Sequence, residues 1–274
     1  MTRLLIVNAD DYGLTEGISR GILRAHREGL VTSTSVLAVG PAFAATGPWL
    51  RDAERLGVGV HLAVVGEDPP LLTAAEIPTL VDRRGRLSSS WRAFLLRAAT
   101  GRVDPADLRR ELAAQLERVA GLGRPITHLD SHQHVHLWPL VARVVIDLAK
   151  AHRIAAIRVP RSDGRRWAGH AVNGLARLLA ARATAAGLRF PARFWGFDEA
   201  GRLGAADVHA ALGRLDGTGE LCAHPGERDE PARRYAWGYR WDDELRVLTD
   251  PALRRAIAAR GVELGTFAAL GAAP

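Results

Sequence analysis

Four of the ten histidines of the chain lie within one ten-residue segment, residues 127–136 (THLDSHQHVH), together with an aspartate. Neutral imidazole binds divalent cations well, and few other roles need several histidines so close together. Two further polar groups accompany apolar runs. Asp10 and Asp11 follow the first such run, and His61 lies within a later one, GVGVHLAV. Carboxylates and scattered histidines near the ends of apolar runs are typical of a hydrolytic metal site.

The adjacent pair Asp10 and Asp11 can divide the chemistry between two carboxylates. Neighbouring side chains of a straight strand point to opposite faces, but the following Tyr12-Gly13 predicts a turn that can direct both toward one site. One carboxylate would then bind the cation, while the other accepts a proton from the attacking water. The structural alternative is an Asx-turn that leads into a helix near Thr15.

His61 lies on the small-residue face of its predicted strand. Alternation with a period of two places it on the same side as Gly57, Gly59 and Ala63. That side therefore leaves room around the imidazole. A lone histidine on a strand is more often structural, and His61 gains its interest from the other clusters.

The histidine-rich segment contains several candidate ligands. If the strand continues to residue 132, His128, Asp130 and His132 share a face, and we expect Asp130 to hold His132 in the correct tautomer for metal binding. His134 and His136 lie near the start of the next helix, where each would cap the helix or contact substrate. They are therefore weaker candidate ligands than His132.

The elements that must position these residues alternate regularly along the chain. Eight short apolar or β-branched runs are predicted strands: 4–8, 34–39, 57–64, 126–130, 155–159, 193–197, 219–224 and 262–266. Amphipathic helical patterns lie between many of them. This alternation predicts an α/β fold with a parallel sheet, and eight strands favour a closed β/α barrel formed by a single domain, residues 1–274. The active site of such a barrel lies at the carboxyl ends of its strands.

Two stretches interrupt the alternation and are predicted loop insertions, near 65–90 and 225–243. The first contains several prolines and a charged turn, which indicates a long loop or a small hairpin. The second contains aromatic residues at a spacing of two, namely Tyr235, Trp237, Tyr239 and Trp241. Such rings often stack on sugars, although a hairpin packed on the barrel explains the aromatic residues equally well.

Composition argues against several classes of protein. The net charge of +7 comes from 37 basic residues, of which Lys150 is the only lysine, and these are dispersed beside acidic residues. A nucleic-acid-binding protein would concentrate them on one face. No apolar run approaches the ~20 residues of a membrane span, and the chain enters a predicted strand without a cleavable signal. The single cysteine, Cys222, suits a reducing compartment. We therefore expect a cytoplasmic protein.

Several ordered motifs resemble the YdjC-like family, which includes chitooligosaccharide deacetylase and the hopanoid-biosynthesis-associated deacetylases. They lie at residues 4–13 (LLIVNADDYG), 29–34 (GLVTST), 59–62 (GVHL), 127–136, 222–225 (CAHP), 244–249 (ELRVLT) and 264–265 (LG). The resemblance covers nearly the whole chain. It implies a β/α barrel related to polysaccharide deacetylases, one divalent metal ion, and hydrolysis of an N-acetyl group from a sugar.

Carried over residue by residue, the resemblance implies that Asp11, His61 and His132 bind the metal. The identity of the metal stays open: this ligand set suits zinc, while more oxygen and water ligands would suit magnesium or manganese. The expected partner is a small N-acetylated saccharide or a glycolipid head group, and the sequence also allows a homo-oligomer.

The same resemblance assigns the proton-transfer roles. Asp10 matches the general base of the wider superfamily, His224 matches its general acid, and Arg158 lies at a strand end where an arginine often orients the base. The residues expected to support the metal site or contact substrate are Asp130, His136, Tyr12 and Trp237. Loops 65–90 and 160–205 resemble the family least and are expected to determine substrate specificity.

Three alternatives belong to other classes. A cysteine hydrolase would use Cys222 and His224, which share a strand face, but no third partner stands out. A non-catalytic sugar-binding barrel would not need the pair Asp10 and His224. A metal-dependent esterase or amidohydrolase acting on a non-sugar substrate would use the same metal chemistry, and it is the most serious alternative.

Overall fold

The computed structural model describes residues 3–164 and 167–270. Both ends of the predicted 1–274 domain and two residues of the predicted specificity segment 160–205 lie outside these ranges. Within them, no helix combines the length and the apolarity that a membrane crossing requires.

Among the described residues, eight strands form one sheet, and their pairings are parallel. They are β1 (Arg3–Tyr12), β2 (Ser33–Val36), β3 (Gly57–Leu62), β4 (Ile126–Ser131), β5 (Ala156–Ile157), β6 (Arg193–Trp195), β7 (Thr218–Ala223) and β8 (Val262–Leu264). Each strand coincides with or overlaps a predicted run, so the predicted positions of the strands along the chain are confirmed.

The sheet follows the order β5-β4-β3-β2-β1-β7-β6, and β8 pairs with the first residues of β1. The predicted parallel β/α barrel fold is confirmed, but the sheet is curled and incompletely closed, so the closure that the strand count favoured is wrong. Within the described residues, no ladder joins the edge strands β5 and β6. These strands contain only two and three residues, too few to form an extended ladder with each other.

Helices follow most of the strands. They are α1 (Glu16–Glu28), α2 (Phe43–Thr46), α3 (Trp91–Ala99), α4 (Pro105–Ala120), α5 (Pro139–Ala151), α6 (Trp167–Ala185), α7 (Ala205–Arg214), α8 (Trp241–Leu248) and α9 (Pro251–Ala259). Their starts follow local chemistry. Thr15 caps α1 by accepting a hydrogen bond from the Ile18 amide. Asp250 caps α9, with Pro251 in its first turn.

Segments 65–90 and 225–243 are largely irregular in the structure. An antiparallel bridge between Val81 and Leu87 forms a small hairpin within 65–90, as expected. Segment 225–243 contains a short 3-10 helix, Pro231–Arg234, and the first residues of α8. Since no strand is present among these residues, the hairpin expected as an alternative for the aromatic segment is wrong.

The glycines of β3 leave room for side chains of neighbouring strands, whereas the sequence predicts room around His61. A Cβ on Gly59 would lie 2.2 Å from the Cε1 atom of His128, whose ring stacks on Phe267 at 3.7 Å between centroids. A Cβ on Gly57 would lie 2.5 Å from the hydroxyl of Ser33. The small-residue face of β3 therefore accommodates the buried ring of His128 in β4, in addition to leaving room around His61.

We predict that Gly59→Ala destabilises the protein, because the ring of His128 is held against Phe267 and cannot move away. Overpacking of this kind typically costs about 1–3 kcal/mol. The matched control is Gly174→Ala in α6, where an added Cβ meets nothing within 4 Å and alanine favours the helix by up to ~1 kcal/mol. Urea denaturation measures both free energies of unfolding, and equal values for the two variants would contradict this packing.

Candidate metal centre and active site

Both carboxylates of the Asp10–Asp11 pair face the same site because β1 is irregular at its end. The register between β1 and β2 shifts in the last residues of β1, and Asp11 adopts a left-handed backbone conformation with φ 68°. This conformation is uncommon for residues other than glycine and is typical of functional sites. The bulge at Asp11 therefore directs both carboxylates toward one site. It lies one residue before the turn that Tyr12-Gly13 predicts.

Three side chains from separate strand ends form a compact buried cluster. One carboxylate oxygen of Asp11 lies 3.5 Å from Nε2 of His61 and 3.4 Å from Nδ1 of His132. Both separations exceed an ordinary hydrogen bond, and this oxygen has no hydrogen-bond partner among the described residues. Two ligands bound at about 2.1 Å at a tetrahedral angle would lie about 3.4 Å apart. The cluster therefore fits a divalent cation with one carboxylate and two imidazole ligands.

Asp130 supports His61 and not His132, so the predicted pairing is wrong. Nδ1 of His61 donates a hydrogen bond of 2.9 Å to Asp130, which directs Nε2 toward Asp11. The reason is strand register: His61 pairs with Asp130 across β3 and β4, whereas His132 lies beyond the end of β4. Burial lowers the pKa of His61, but the charges of Asp130 and Asp10 outweigh burial and raise this pKa to about 9.

The guanidinium of Arg158 is completely buried and surrounded by carboxylates. It binds both oxygens of Asp10 at 2.7 Å, one oxygen of Asp130 at 2.8 Å and one of Glu220 at 2.6 Å. Burial raises the pKa of Asp10, but Arg158 and His61 lower it more strongly, to well below its usual range. Asp10 therefore stays ionised and is fixed in orientation by two parallel hydrogen bonds.

His224 follows the last residue of β7 and lies close to Asp10. One atom each of Asp10, Cys222 and His224 lie within 4.8 Å of one another. The backbone amide of His224 donates a 2.5 Å hydrogen bond to Glu244, while its buried Nδ1 has no hydrogen-bond partner in the part of the chain that the structure describes. The ring also contacts Tyr239, with centroids 4.6 Å apart. The backbone of His224 is therefore held in place while a ring nitrogen stays available.

Cys222 lacks the character of a nucleophile. Its thiol is buried and donates a 3.3 Å hydrogen bond to Asp10. Burial raises the pKa of this thiol well above its ordinary value, and Asp10 and Glu220 raise it further although Arg158 opposes them. Because the thiolate is the reactive form, this environment disfavours the cysteine-hydrolase alternative.

Several residues that support the site are not predicted by spacing along the sequence. Ser35 donates a 2.6 Å hydrogen bond to Asp130, and the amide of Asn8 donates to both Asp10 and Ser35 at 2.8 Å. Small polar residues inside strands are common, which hides this role. Glu220 could have been identified from the sequence, because a carboxylate in the middle of an apolar strand needs a polar partner when it is buried.

Two predicted supporting residues are fully buried, and this removes them from direct contact with a substrate. The hydroxyl of Tyr12 donates to the carbonyl of Thr46 at 2.7 Å within the core. The ring of His136 pairs with the hydroxyl of Ser131 at 2.5 Å and with the carbonyl of Arg158 at 3.1 Å. His136 therefore supports the backbone that carries Arg158.

Trp237, a predicted supporting residue, and His134, a weaker candidate ligand, are both half-buried. The half-buried ring of Trp237 lies 5.0 Å from that of His132, and its Nε1 donates to Glu67 at 3.0 Å. Trp237 thus lies against a residue of the cluster, and its contact with substrate stays a prediction. His134 does not belong to the cluster and instead stacks on Phe197 with ring centroids 5.1 Å apart.

Comparison with known proteins places the chain in one family. Residues 4–259 match the model of the YdjC-like protein family. Chitooligosaccharide deacetylases of Klebsiella pneumoniae and Citrobacter koseri are 35% and 36% identical to the chain over 268 residues, covering 97% of it and 99% of each relative.

Solved structures show the same relationship at the level of the fold. A protein of Enterococcus faecalis V583, for which cellobiose-phosphate cleavage has been suggested, superposes with a TM-score of 0.80 at 25% identity, over 99% of this chain and 100% of its own. A carbohydrate esterase family 4 domain of a xylanase from a termite hindgut metagenome shares the fold alone, with a TM-score of 0.50 at 9% identity, over 98% of this chain and 90% of its own. The chain belongs to the YdjC-like family.

Proposed function

We propose that the protein is a metal-dependent carbohydrate deacetylase that hydrolyses the N-acetyl group of an amino sugar. The observation that carries the proposal is the unpartnered carboxylate oxygen of Asp11 between His61 and His132. The chitooligosaccharide deacetylases that align with 97% of the chain support the choice of substrate class. A glycolipid head group as the substrate and a homo-oligomeric state stay predictions.

Asp11, His61 and His132 would hold one divalent cation. When bound, it supplies a Lewis acid for the acetamide carbonyl and makes a water molecule more acidic. Zinc is the proposed ion, because a set of two imidazoles and one carboxylate suits it, whereas magnesium prefers oxygen ligands.

Asp10 is the proposed general base. It is ionised, buried and held by both terminal nitrogens of Arg158, so its carboxylate can accept a proton from the attacking water without first losing one. Asn8 donates a further hydrogen bond that limits rotation of the carboxylate. The role of Arg158 is to orient Asp10 and to offset its charge in a buried site.

His224 is the proposed general acid. The nitrogen of an amide leaves poorly unless it is protonated as the bond breaks, and the imidazole of His224 can supply that proton. The rings of Trp237 and Tyr239 lie over His132 and His224. These rings exclude water from the reacting bond and offer an aromatic face to the sugar.

The proposed substrate class predicts which bonds are cleaved. The metal-loaded protein should release acetate from N-acetylglucosamine oligomers, because an acid positioned for an amine leaving group has no other evident use. Acetate release should be compared between these oligomers and simple acetyl esters. Activity confined to the esters would eliminate the sugar-deacetylase proposal and favour the esterase alternative.

Metal dependence predicts the behaviour of a ligand variant. His61→Ala should stay folded but lose most of its bound metal and its activity, since it removes one of three ligands. The loss of affinity should be at least the ~10–100-fold that supporting partners of a metal ligand typically cost. Metal content and titration calorimetry measure it, with exposed His209→Ala as the control. Full metal occupancy in the His61 variant would show that the ligand assignment is wrong.

The two proton-transfer roles predict different substrate dependence. His224→Ala should reduce amide hydrolysis by about 10²–10⁴-fold through loss of the general acid. The same variant should spare an activated aryl acetate, because a phenolate leaves without protonation. Asp10→Asn should impair both reactions, since both need the base. Initial rates on the two substrates measure this, and equal losses in the His224 variant would refute the acid assignment.

A further inference from the structure

One buried carboxylate beside the proposed acid has no part in the proposed chemistry. Glu244 lies in the first turn of α8 and is completely buried, whereas Asp242 in the same turn is exposed. Burial raises the pKa of Glu244, and a carboxylate is almost never fully buried unless it is paired. The contacts of Glu244 therefore indicate why a carboxylate occupies this position.

Both oxygens of Glu244 accept hydrogen bonds from backbone amides. Oε2 accepts a 2.5 Å bond from His224, and Oε1 accepts a 3.0 Å bond from Leu203. The ladder between β1 and β7 pairs residues only as far as Ala223, so it does not include the amide of His224. Glu244 therefore supplies the acceptor that a neighbouring strand would otherwise provide, at the residue proposed as the general acid.

The second hydrogen bond holds the segment 201–203, on which the ring of Tyr239 rests. A Cβ on Gly201 would lie 2.1 Å from Cδ1 of Tyr239, so the ring packs directly on this backbone. The amide of the residue after Tyr239 also donates a 2.7 Å hydrogen bond to the carbonyl of Gly201. Since Tyr239 contacts the ring of His224, with centroids 4.6 Å apart, Glu244 supports that ring indirectly as well.

Leu203 also lies in the wall of a large cavity. This cavity has a volume of about 1210 Å³, and its other walls come from the segment after His132, the end of β6, and helices α3, α6 and α7. The described residues that line it include none of the candidate reacting groups, namely Asp10, Asp11, His61, His132 and His224. Glu244 does not line it either and is completely buried. Direct contact between Glu244 and a substrate is therefore excluded in this structure, which leaves a positioning role.

We infer that Glu244 is a positioning residue for the general acid. The inference rests on the proposed function and adds to it the means by which His224 keeps its place at the end of β7. One oxygen of Glu244 holds the backbone of His224, and the other holds the segment that supports Tyr239 against the ring of His224. Glu244 exchanges no proton with the substrate. Its effect is consequently confined to reactions whose leaving group needs the acid.

The test compares an amide with an aryl acetate, because only the amide needs the acid. Glu244→Gln keeps the size of the side chain but replaces one acceptor with a donor, so one of the two backbone amides loses its partner. In the metal-loaded protein it should lower kcat for N-acetylglucosamine oligomers by about 10–100-fold without raising KM, since a misplacement of about 1 Å can cost ~10²-fold. Turnover of the aryl acetate should change less than about twofold, because its phenolate leaves without protonation. Asp242→Asn, in the same turn but exposed, is the matched control and should match the wild type on both substrates.

A double-variant cycle separates positioning from a general effect on the fold. The ratio of amide turnover to aryl acetate turnover does not depend on how much of the protein is folded. Glu244→Gln should lower this ratio in the wild type but not in the His224→Ala background, where the acid that it positions is gone. Gly201→Ala, which leaves Glu244 in place, should also lower the ratio by displacing Tyr239. Its control is Gly213→Ala, where an added Cβ meets nothing within 4 Å.

An unchanged ratio in Glu244→Gln would overturn the inference, and so would an equal further loss in the His224→Ala background. If Glu244→Gln does not fold, the ratio in Gly201→Ala decides, and no change there would also overturn it. Failure of the proposed function has a different signature, namely no acetate released from any amide by the wild type. In that case, hydrogen exchange at the amides of His224 and Leu203 decides: at least one should lose protection in Glu244→Gln relative to Asp242→Asn, and unchanged exchange at both would refute the anchoring.

Discussion

The buried guanidinium of Arg158 is the interaction on which the rest of the site depends. It joins β5 to three other strands through Asp10 of β1, Asp130 of β4 and Glu220 of β7. A buried charge is costly unless it is paired and hydrogen-bonded, and Asp10 and Asp130 pair with the charge of Arg158. Since β5 contains only two residues, the contacts of Arg158 hold the carboxyl end of the sheet together where the backbone ladder is short.

This network also connects the metal ligands to the base. Asp130 binds Arg158 with one oxygen and His61 with the other, so the orientation of a ligand and that of Asp10 depend on the same side chain. Burial raises the pKa of Glu220 to about 8, with Asp10 and Asp130 adding to the increase and Arg158 opposing it. Three carboxyl groups share one arginine, and as a result Glu220 has a raised pKa while Asp10 stays ionised.

The candidate reacting groups and the large cavity occupy different parts of the fold. The candidate reacting groups lie on or directly after β1, β3, β4, β5 and β7, where ladders and ion pairs restrict them. The large cavity lies beside the short strand β6 and the helices α6 and α7, at the edge where the sheet does not close. An unclosed edge leaves space that a complete barrel would fill with side chains, and loops at such an edge can vary without disturbing the metal cluster.

Local patterns in the sequence predicted where the strands lie along the chain and which residues are candidates for the chemistry, because periodicity and short motifs are properties of neighbouring residues. The tertiary structure alone decided which partners those residues have. Asp130 supports His61 because of the register between β3 and β4, and Tyr12 lies in the core because the bulge at Asp11 sets its direction. Glu220 and the large cavity arise from strands and helices far apart in the chain. Such contacts depend on how distant segments pack, and spacing along the sequence does not record that packing.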